Sequence, residues 1–229
     1  MRKILVTSPK GGCGKATITR NMAVIAHLNG INTATIDLDP QGSLTHWHRL
    51  REQTSKAFLK RQGVIITDEA LDEITGIANY ATPPRDVDEA DLANLKHDLI
   101  IIDTPTAVEE YGEAMKRLIL AADFVLVPCQ PTADDAVSTI PWMEMIGRLG
   151  KPAAFILNRV KPRTRSLREA KQQLASVGEI CPIEIRDLED IHRVGAEGLG
   201  IGEVKGHPAG DDYRGIWGYL GRKIGGIAC

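Results

Sequence analysis

A glycine-rich stretch, Lys10-Gly11-Gly12-Cys13-Gly14-Lys15, stands between a short apolar run and an amphipathic helical pattern, and it decides the fold. Its three glycines allow backbone N–H groups to turn inward around an anion without Cβ clashes. The helix that follows directs the positive end of its dipole towards the same point. Lys15, at the start of that helix, would reach the β- and γ-phosphates of a nucleotide. The setting between strand and helix therefore predicts a phosphate-binding loop in preference to a glycine turn with a solvent-facing lysine.

The rest of the chain alternates short apolar runs with helical patterns. This alternation predicts an α/β fold with a doubly wound, mostly parallel sheet and helices on both faces. Strands are predicted at Ile4–Thr7, Thr33–Ile36, Leu99–Ile102, Phe124–Val127 and Ala154–Leu157. Helices are predicted at Lys15–Leu28, Asp86–Leu95, Glu109–Leu120, Asp134–Leu149 and Ser166–Ala175. Because the sequence shows no repeat and no linker, residues 1–229 are interpreted as a single domain.

Composition excludes several classes of protein. The 229 residues carry 28 Lys and Arg against 30 Asp and Glu, a net charge of -2, so nucleic-acid binding would require a local basic patch. No apolar run approaches the ~18 residues of a membrane span, and no secretory apolar segment follows Met1. The cysteines form no CxxC pair, which is typical of free thiols in a reducing cytoplasm. They are Cys13, Cys129, Cys181 and Cys229.

Three acids and one amide stand at the ends of predicted strands, where α/β sheets bind ligands. Asp39 and Asp103 each follow an apolar run, and a carboxylate beside phosphates is repelled unless Mg²⁺ lies between them. The two acids together predict a magnesium ion, although Asp103 could instead cap a helix. Asp37 suits a structural role as well as a functional one. Asn158 could recognise adenine through its amide, which we favour, or cap a turn.

The glycine loop, with Lys10 added before it, resembles the deviant Walker ATPases of the ParA/MinD family. Further stretches are similar to that family in the same order along nearly the whole chain. Switch I corresponds to Ile36-Asp37-Leu38-Asp39-Pro40-Gln41-Gly42-Ser43, and Walker B with switch II to Asp98-Leu99-Ile100-Ile101-Ile102-Asp103-Thr104-Pro105. Later similarities are Val127-Pro128-Cys129-Gln130-Pro131-Thr132, Leu157-Asn158-Arg159 and Glu197-Gly198-Leu199-Gly200-Ile201. The resemblance implies a P-loop NTPase fold and an ATPase that uses ATP and Mg²⁺.

The resemblance also implies roles for individual residues. The extra lysine of the family, here Lys10, reaches across a nucleotide-sandwich homodimer to the partner's phosphates. Asp39 would position the attacking water or the Mg²⁺ shell, and Asp103 would hold Mg²⁺ through water. The predicted catalytic residues are Lys10, Lys15 and Asp39, and the predicted metal site is Asp39 with Asp103. The predicted nucleotide contacts are Lys10, Gly11, Gly12, Cys13, Gly14, Lys15, Ala16, Thr17 and Asn158.

The chain departs from the family directly after the second lysine of the loop. The family has a threonine there, whose hydroxyl ligates Mg²⁺, whereas this chain has Ala16. A methyl group cannot coordinate a cation. Thr17 matches the family's hydroxyl near the α-phosphate. We therefore expect ATP binding to be retained and hydrolysis to be slow.

A basic run between Lys151 and Lys171, with seven bases and one acid, predicts a nucleic-acid interface. Arg165, Arg168 and Gln172 are three to four residues apart and share one helix face. Arginines on one face suit phosphate backbones, which contribute affinity without sequence reading. A solvated surface is the alternative. The predicted DNA-binding residues are Arg163, Arg165, Arg168 and Lys171.

The two branches of the family differ in what their ATP form binds. ParA-type dimers bind DNA nonspecifically until a partner protein triggers hydrolysis, whereas MinD-type dimers press a C-terminal amphipathic helix onto a membrane. The run Tyr213–Ile224 has repeated glycines and few bases, so it predicts a poor isolated helix and a weak membrane anchor. We therefore expect a cytoplasmic, nucleoid-associated bacterial protein that positions a plasmid, a chromosome region or a protein assembly. Its partner would be a stimulatory ParB-like or cargo adaptor protein.

Other functions remain open at this stage. Ala16 would also suit a nucleotide-locked interaction module that barely hydrolyses ATP. An iron–sulfur reductase of the same superfamily would need paired cysteines at a dimer axis, and no second cysteine is evident beside Cys129. The first predicted strand begins near Met1, so we expect no DNA-reading helix-turn-helix ahead of it.

Overall fold

In the described part of the chain, seven strands, numbered in chain order, form a parallel sheet. They are β1 (Arg2–Val6), β2 (Thr33–Asp37), β3 (Ile77–Ala81), β4 (Leu99–Asp103), β5 (Phe124–Cys129), β6 (Ala153–Leu157) and β7 (Glu179–Ile180). Their order across the sheet is β3-β2-β4-β1-β5-β6-β7, and all of these pairings are parallel. The computed structural model describes residues 1–62, 67, 75–87, 92 and 94–225 of the chain.

Helices cover both faces of this sheet. Those with bounds in the described ranges are α1 (Lys15–Leu28), α2 (Ser43–Arg61), α3 (Gly112–Ala121), α4 (Ala133–Arg148), α5 (Arg165–Ala175), α6 (Glu189–Ala196) and α7 (Pro208–Ile224). Short 3₁₀ turns lie at Pro84–Asp86, Val108–Tyr111 and Ile201–Glu203. This arrangement is the predicted doubly wound α/β fold.

Apolar side chains on both faces of the central strands explain why the sheet forms. In β1, Ile4 and Val6 pack into a cluster that includes residues of α1, α6 and α7. Leu5, between them, packs into a second cluster on the other face with residues of α3, α4 and α5. Successive side chains of a strand alternate between faces, so a continuous apolar run buries both. Strand β4 repeats the same alternation.

The carboxyl ends of three neighbouring strands bring the predicted site residues to one edge. Val6 pairs in register with Asp103, and Asp103 pairs with Asp37 on its other side. The chain leaves β1 for β2 on one side of the sheet and reaches β5 on the other. The loop after β1 therefore lies in the crevice where open α/β sheets bind ligands.

The five predicted strands are all present, and the two that the sequence missed, β3 and β7, are at the edges. Strand β3 is half-exposed, and β7 has two residues. An edge strand packs against fewer neighbours, so its residues do not form the continuous apolar run that marks a central strand. Helices α1, α4 and α5 follow their predicted spans closely.

Two helix predictions require correction. The helix predicted at Asp86–Leu95 does not begin at Asp86, because that residue ends a 3₁₀ turn and Val87 is extended with φ -76° and ψ 118°. Residues 88–91 and 93 lie outside the described residues. The helix predicted at Glu109–Leu120 begins instead as the 3₁₀ turn Val108–Tyr111 and continues as α3.

Helices α2, α6 and α7 were not predicted. Helix α7 contains the glycine-rich run that suggested a poor isolated helix, yet Tyr213, Trp217 and Leu220 are buried along one of its sides. Most helical stability in proteins comes from packing of such a face, which outweighs the unfavourable propensity of glycine.

Candidate nucleotide-binding site

The phosphate loop lies directly between β1 and α1, as the sequence predicts. Gly14 precedes Lys15, the first residue of α1, and has a left-handed backbone with φ 97°. Within the described ranges no side chain caps the start of α1, and its first turn contains no acidic residue. The positive end of the helix is therefore directed into the loop without a competing carboxylate, which favours an anionic ligand.

Two side-chain amides hold the backbone of the loop from the neighbouring strands. Nδ2 of Asn158, at the end of β6, donates to the carbonyl oxygen of Cys13 at 2.7 Å. Nε2 of Gln130, after β5, donates to the carbonyl oxygen of Gly12 at 3.1 Å. Asn158 is buried, and a Cβ atom added to Gly14 would stand 2.2 Å from its Nδ2. In this structure Asn158 fixes the loop; its predicted contact with adenine stays a prediction.

Lys15 lies under the loop and close to Asp103. It is buried, and its Nζ donates to the carbonyl oxygens of Ser8 at 3.3 Å and Lys10 at 3.2 Å. Asp103 is also buried, and its Oδ1 has no hydrogen-bond partner among the described residues. Burial raises the pKa of Asp103 well above its ordinary value, and the positive charge of Lys15 opposes that rise.

An unsatisfied carboxylate oxygen in this position suits a bound cation. The other predicted metal residue, Asp39, is only partly buried, and its negative charge adds to the rise in the pKa of Asp103. In the described part of the chain, no three His, Cys, Asp or Glu side chains are grouped to hold a metal by themselves. Magnesium keeps waters and shares oxygens with phosphates, so two acids suit Mg²⁺ bound together with a nucleotide.

Asp37 has a structural role. It is buried, its Oδ1 accepts from the backbone N–H of Asp39 at 3.2 Å, and its Oδ2 accepts from the backbone and the hydroxyl of Thr45 at 2.8 and 2.7 Å. The carboxylate thus caps α2 and holds the loop that carries Asp39. Of the two roles that the sequence left open for Asp37, the structure shows these structural contacts.

The remaining loop residues contribute in different ways. Cys13 is buried, and its thiol donates to the carbonyl oxygen of Lys10 at 3.2 Å, so its backbone is what it offers to a ligand. Thr17 lies beside Gly14 and Asn158 and is partly buried. Ala16 is partly buried against the apolar cluster below α1 and brings no oxygen to the site.

Lys10 has an acidic neighbour that sequence reasoning missed. Its Nζ lies 3.9 Å from Oδ1 of Asp135, a buried residue in the first turn of α4, while the Lys10 side chain is 40% exposed. Asp135 also accepts from the backbone N–H of Gln130 at 3.0 Å, and its own N–H donates to the Thr132 hydroxyl at 3.2 Å. Thr132 and Asp135 are three residues apart, the spacing of an N-cap and the third residue of a helix. This spacing is the sequence signal that could have placed Asp135 at the start of α4.

Two grooves lie at the carboxyl ends of strands on either side of β1. One, of about 570 Å³, is lined by Asp39, Pro40 and Gln41 and, across from them, by Pro83 and Tyr111. The other, of about 540 Å³, is lined by residues around Arg159, which directly follows Asn158. The residues that line the second groove are Gln130, Pro131, Thr132, Arg159, Lys161, Thr164, Ser166, Asp187 and His192. Both volumes are in the range of small-molecule sites.

Comparison with known proteins now identifies the family. Residues 4–201 match the family described as the CobQ/CobB/MinD/ParA nucleotide binding domain. The chain belongs to this family. It is similar to the maintenance of carboxysome distribution protein A of Halothiobacillus neapolitanus, with 26% identity over 93% of both chains.

Solved structures of ParA and MinD proteins share the fold. A plasmid partition protein of Borrelia burgdorferi bound to AMPPNP matches with a TM-score of 0.72, 20% identity and coverage of 97% of this chain and 99% of its own. MinD of Pyrococcus horikoshii in complex with Mg-ADP matches with a TM-score of 0.75, 18% identity and coverage of 100% and 98%. The P-loop NTPase fold that the sequence predicts is thereby confirmed.

The predicted DNA-binding residues lie on an exposed surface formed by α5 and the loop before it. Arg165, the first residue of α5, has a side chain that is 85% exposed, and its Nε lies 2.6 Å from Oε1 of Glu169. Lys171 pairs with Glu184. Arg163, in the loop with a left-handed φ of 65°, and Arg168 are exposed and have no ion pair within the described ranges. The four bases are therefore on one side of the molecule but differ in how far acids neutralise them.

The apolar side of the C-terminal helix α7 faces the protein. Tyr213, Ile216, Trp217 and Leu220 are buried in the cluster that also contains residues of α1. Among the helices that the structure describes, none combines the length and apolar character of a membrane span. The face that would enter a lipid surface is already occupied by packing within the chain.

Proposed function

We propose that this ParA/MinD-family protein is an ATP-dependent dimerising switch that binds DNA nonspecifically in its ATP state. It hydrolyses ATP with Mg²⁺ and thereby positions a cargo. The observation that carries the proposal is the uncapped, lysine-doubled phosphate loop beside the unsatisfied Asp103 carboxylate. The names of similar proteins, a carboxysome distribution protein and a plasmid partition protein, support positioning of cargo as the purpose.

Nucleotide binding would depend mainly on the loop and Lys15. The backbone N–H groups of the loop and the start of α1 would hold the phosphates, and Lys15 would exchange its two backbone carbonyl partners for phosphate oxygens. The groove lined by Arg159, the residue after Asn158, would accommodate the base and ribose. Asp103 and Asp39 would hold Mg²⁺, which neutralises charge that develops on the phosphates. Asp39 would orient the attacking water.

Dimerisation would depend on Lys10. In the single chain the side chain of this lysine is 40% exposed and lies 3.9 Å from Asp135, a long ion pair, so its ammonium group is available to a second copy. The phosphates at a dimer centre carry several negative charges and would attract a lysine from each side. ADP lacks the γ-phosphate, so we expect it to leave the chain monomeric.

DNA binding would use the loop and helix that carry Arg163, Arg165, Arg168 and Lys171. Exposed ion pairs such as Arg165–Glu169 are weak, so a phosphate can displace the carboxylate. Arg163 and Arg168 need displace no acid among the described residues, so we expect them to contribute most. We prefer DNA binding over membrane binding because the apolar side of α7 is buried within the chain. The protein would then act in the cytoplasm at the nucleoid, with a ParB-like or cargo adaptor partner.

A second candidate rests on Ala16. The site lacks the hydroxyl oxygen that would complete the metal shell, which would also suit a nucleotide-locked module that hydrolyses ATP hardly at all. The two candidates share ATP binding and differ in turnover.

The test is co-sedimentation with DNA and, in parallel, with anionic liposomes, in the presence of ADP, ATP or a slowly hydrolysed analogue. We expect binding to duplexes of unrelated sequence with ATP and the analogue, with an affinity that falls steeply as salt rises. Lys10→Ala should abolish DNA binding and ATP-dependent dimerisation while nucleotide still binds. Arg163→Glu with Arg168→Glu should abolish DNA binding while dimerisation remains.

The matched control is Lys116→Glu with Arg117→Glu on α3, which changes the net charge by the same amount on exposed residues elsewhere. It should leave DNA binding nearly unchanged. Equal losses in both double variants would show a whole-chain charge effect and would contradict the assigned surface. Binding to liposomes in preference to DNA would replace the proposal by the membrane alternative.

A further inference from the structure

We propose that a partly buried chain of hydrogen bonds from His48 to Asp37 is a positioning device that holds Asp39 in place behind the nucleotide site. Thr45 is its central positioning residue. The inference rests on the proposed function, because Asp39 matters only if the chain hydrolyses ATP. It assigns roles to Thr35, Thr45, His48 and Asn79, which no sequence motif marks.

The hydrogen bonds run without interruption from His48 of helix α2 through strands β2 and β3 and then, through Thr45 of the same helix, to the end of β2. His48 Nε2 and Thr35 Oγ1 are 2.8 Å apart. Thr35 Oγ1 donates to Asn79 Oδ1 at 2.9 Å, and Asn79 Nδ2 donates to Thr45 Oγ1 at 3.3 Å. Thr45 Oγ1 then donates to Asp37 Oδ2 at 2.7 Å.

The partners of these groups favour one direction of donation. The single hydroxyl proton of Thr45 goes to the Asp37 carboxylate. Thr35 Oγ1 has two acceptors in reach, Asn79 Oδ1 at 2.9 Å and the carbonyl oxygen of Ala78 at 3.3 Å, which leaves it to accept from His48. Burial, with a contribution from the charge of Arg51, lowers the pKa of His48 to about 3, which keeps the ring neutral. Donation to Thr35 then requires the tautomer with its proton on Nε2. All donors thus point towards Asp37, and hydrogen bonds aligned in this way strengthen one another.

The inner end of the chain fixes the loop that carries Asp39. The other oxygen of Asp37, Oδ1, accepts from the backbone N–H of Asp39 at 3.2 Å. Asp39 in turn accepts from the backbone N–H groups of Gln41 at 3.0 Å and Gly42 at 2.8 Å. On the side of β4, the N–H of Leu38 donates to the carbonyl oxygen of Asp103 at 3.0 Å. The orientation of the Asp37 carboxylate therefore decides where Asp39 stands relative to Asp103.

Removing the Thr45 hydroxyl separates this role from ordinary helix stability. In Thr45→Val the backbone N–H of residue 45 still caps α2 on Asp37, but the carboxylate loses one donor and Asn79 loses its acceptor. Thr54→Val is the matched control, because the Thr54 hydroxyl lies on the same helix and donates to the carbonyl oxygen of Glu197 at the same distance of 2.7 Å, outside the chain of hydrogen bonds. Thr45→Ser keeps the hydroxyl and should restore the parent behaviour.

The first measurement is amide hydrogen exchange of the peptide that contains residues 38–42, without nucleotide. We expect exchange on the order of tenfold faster in Thr45→Val than in the parent, since the Asp37 carboxylate has lost one of its donors and opposes local opening less strongly. Thr54→Val and Thr45→Ser should exchange at the parent rate in this peptide. Equal exchange in Thr45→Val and the parent, or equal acceleration in both valine variants, would overturn the inference.

The second measurement is turnover in an Ala16→Thr background, with nucleotide affinity measured alongside. We expect Thr45→Val to lower kcat about tenfold with little change in ATP affinity, as for a misplaced catalytic group. Asp39→Ala separates a failure of the proposed catalytic role of Asp39 from a failure of the proposed hydrogen-bond chain. If Asp39→Ala leaves kcat unchanged, the role of Asp39 in the proposed function is wrong, whereas the exchange measurement still decides whether the chain holds its loop.

Discussion

Helices α1 and α2 begin in the same way and differ in what meets their first turn. Each follows a central strand at the same edge of the sheet, and each starts after a left-handed glycine, Gly14 with φ 97° and Gly42 with φ 62°. The first turn of α1 has no side-chain cap, whereas in α2 the backbone N–H and the hydroxyl of Thr45 donate to the buried carboxylate of Asp37.

The difference shows how one sheet edge provides both a binding site and a fixed support. A helix start without a cap attracts an anion, and one that is closed by a carboxylate repels it. Under the proposed function, the phosphates would be directed to α1, while α2 and Asp37 would hold Asp39 at the side of the site. Substitutions at the two helix starts should therefore have unlike effects.

The largest expected effect comes from replacing the two helix-start glycines by alanine. In Gly14→Ala the new Cβ would stand 2.2 Å from Asn158 Nδ2, so the Asn158 side chain must move and weaken its hydrogen bond to the Cys13 carbonyl oxygen. The left-handed backbone at residue 14 would also be strained. We expect nucleotide affinity to fall by on the order of a hundredfold, roughly 2.7 kcal/mol. In Gly42→Ala nothing lies within 4 Å of the new Cβ, so only the left-handed backbone costs stability, roughly 1–2 kcal/mol.

Binding of a fluorescent ATP analogue and denaturant unfolding of both variants measure the two effects. The clash itself is tested by Gly14→Ala in an Asn158→Ala background, where the loss of affinity should be smaller than the sum of the single losses. Additive losses would show that backbone strain at Gly14, and not contact with Asn158, decides the outcome. Equal loss of nucleotide affinity in Gly42→Ala would contradict the distinction between the two helix starts.

Motifs with a fixed local geometry could be read directly from the sequence. The phosphate loop needs a strand, glycines and a helix in immediate succession, so its position follows from residues 2–28 alone. Asp103 could be placed because it ends a continuous apolar run. Such features depend on neighbours along the chain and not on distant contacts.

Features that depend on contacts between residues far apart in the chain could not be predicted from the sequence. Asp135 meets Lys10 across 125 positions of the chain, and Thr45 meets Asn79 across 34. Helix α7 forms because its aromatic side chains find a partner surface on α1, against the propensity of its glycines. The basic run was visible, but the carboxylates of Glu169 and Glu184 that pair with part of it required the structure.

A smaller effect is expected from restoring the metal ligand at the start of α1. In Ala16→Thr the hydroxyl would supply one oxygen to Mg²⁺ and hold the metal more rigidly against the β- and γ-oxygens. Thr17 cannot do this, because one step along a helix turns a side chain by about 100°. We expect the steady-state ATPase rate at saturating Mg²⁺ to rise about tenfold, corresponding to roughly 1.4 kcal/mol in the barrier, with little change in ATP affinity.

The control for that variant is Thr17→Ala, which removes the existing hydroxyl one residue further along and should not imitate the gain. An unchanged rate in Ala16→Thr would show that another group already completes the metal shell, and slow turnover would then need a different cause. A rate that stays near zero while DNA binding persists with ATP would favour the nucleotide-locked module.

The smallest effect concerns the stability of the chain without nucleotide. Asp103 is buried, and its Oδ1 finds no partner in the part of the chain that the structure describes, so its charge opposes folding until a cation is bound. We expect Asp103→Asn to raise the melting temperature of the nucleotide-free chain at pH 8 by roughly 2–4 °C, which corresponds to about 1 kcal/mol in a chain of this size. In the presence of Mg²⁺ and ATP the order should reverse, because the variant gains less from ligand binding.

The pH dependence of the stability gain in Asp103→Asn shows whether that gain comes from removing a buried charge. The folded pKa of Asp103 is raised above the unfolded value of 3.8, so in the window above 3.8 the folded chain holds a proton that the unfolded chain has released. The free energy of unfolding therefore falls as pH rises through that window, and the asparagine variant should lack this part of the fall. The advantage of Asp103→Asn should accordingly be present at pH 8 and shrink towards pH 4, as followed by melting curves without nucleotide. A variant that is less stable than the parent at pH 8 would show that attraction to Lys15 outweighs burial, and that the start of α1 is electrostatically balanced before any ligand arrives.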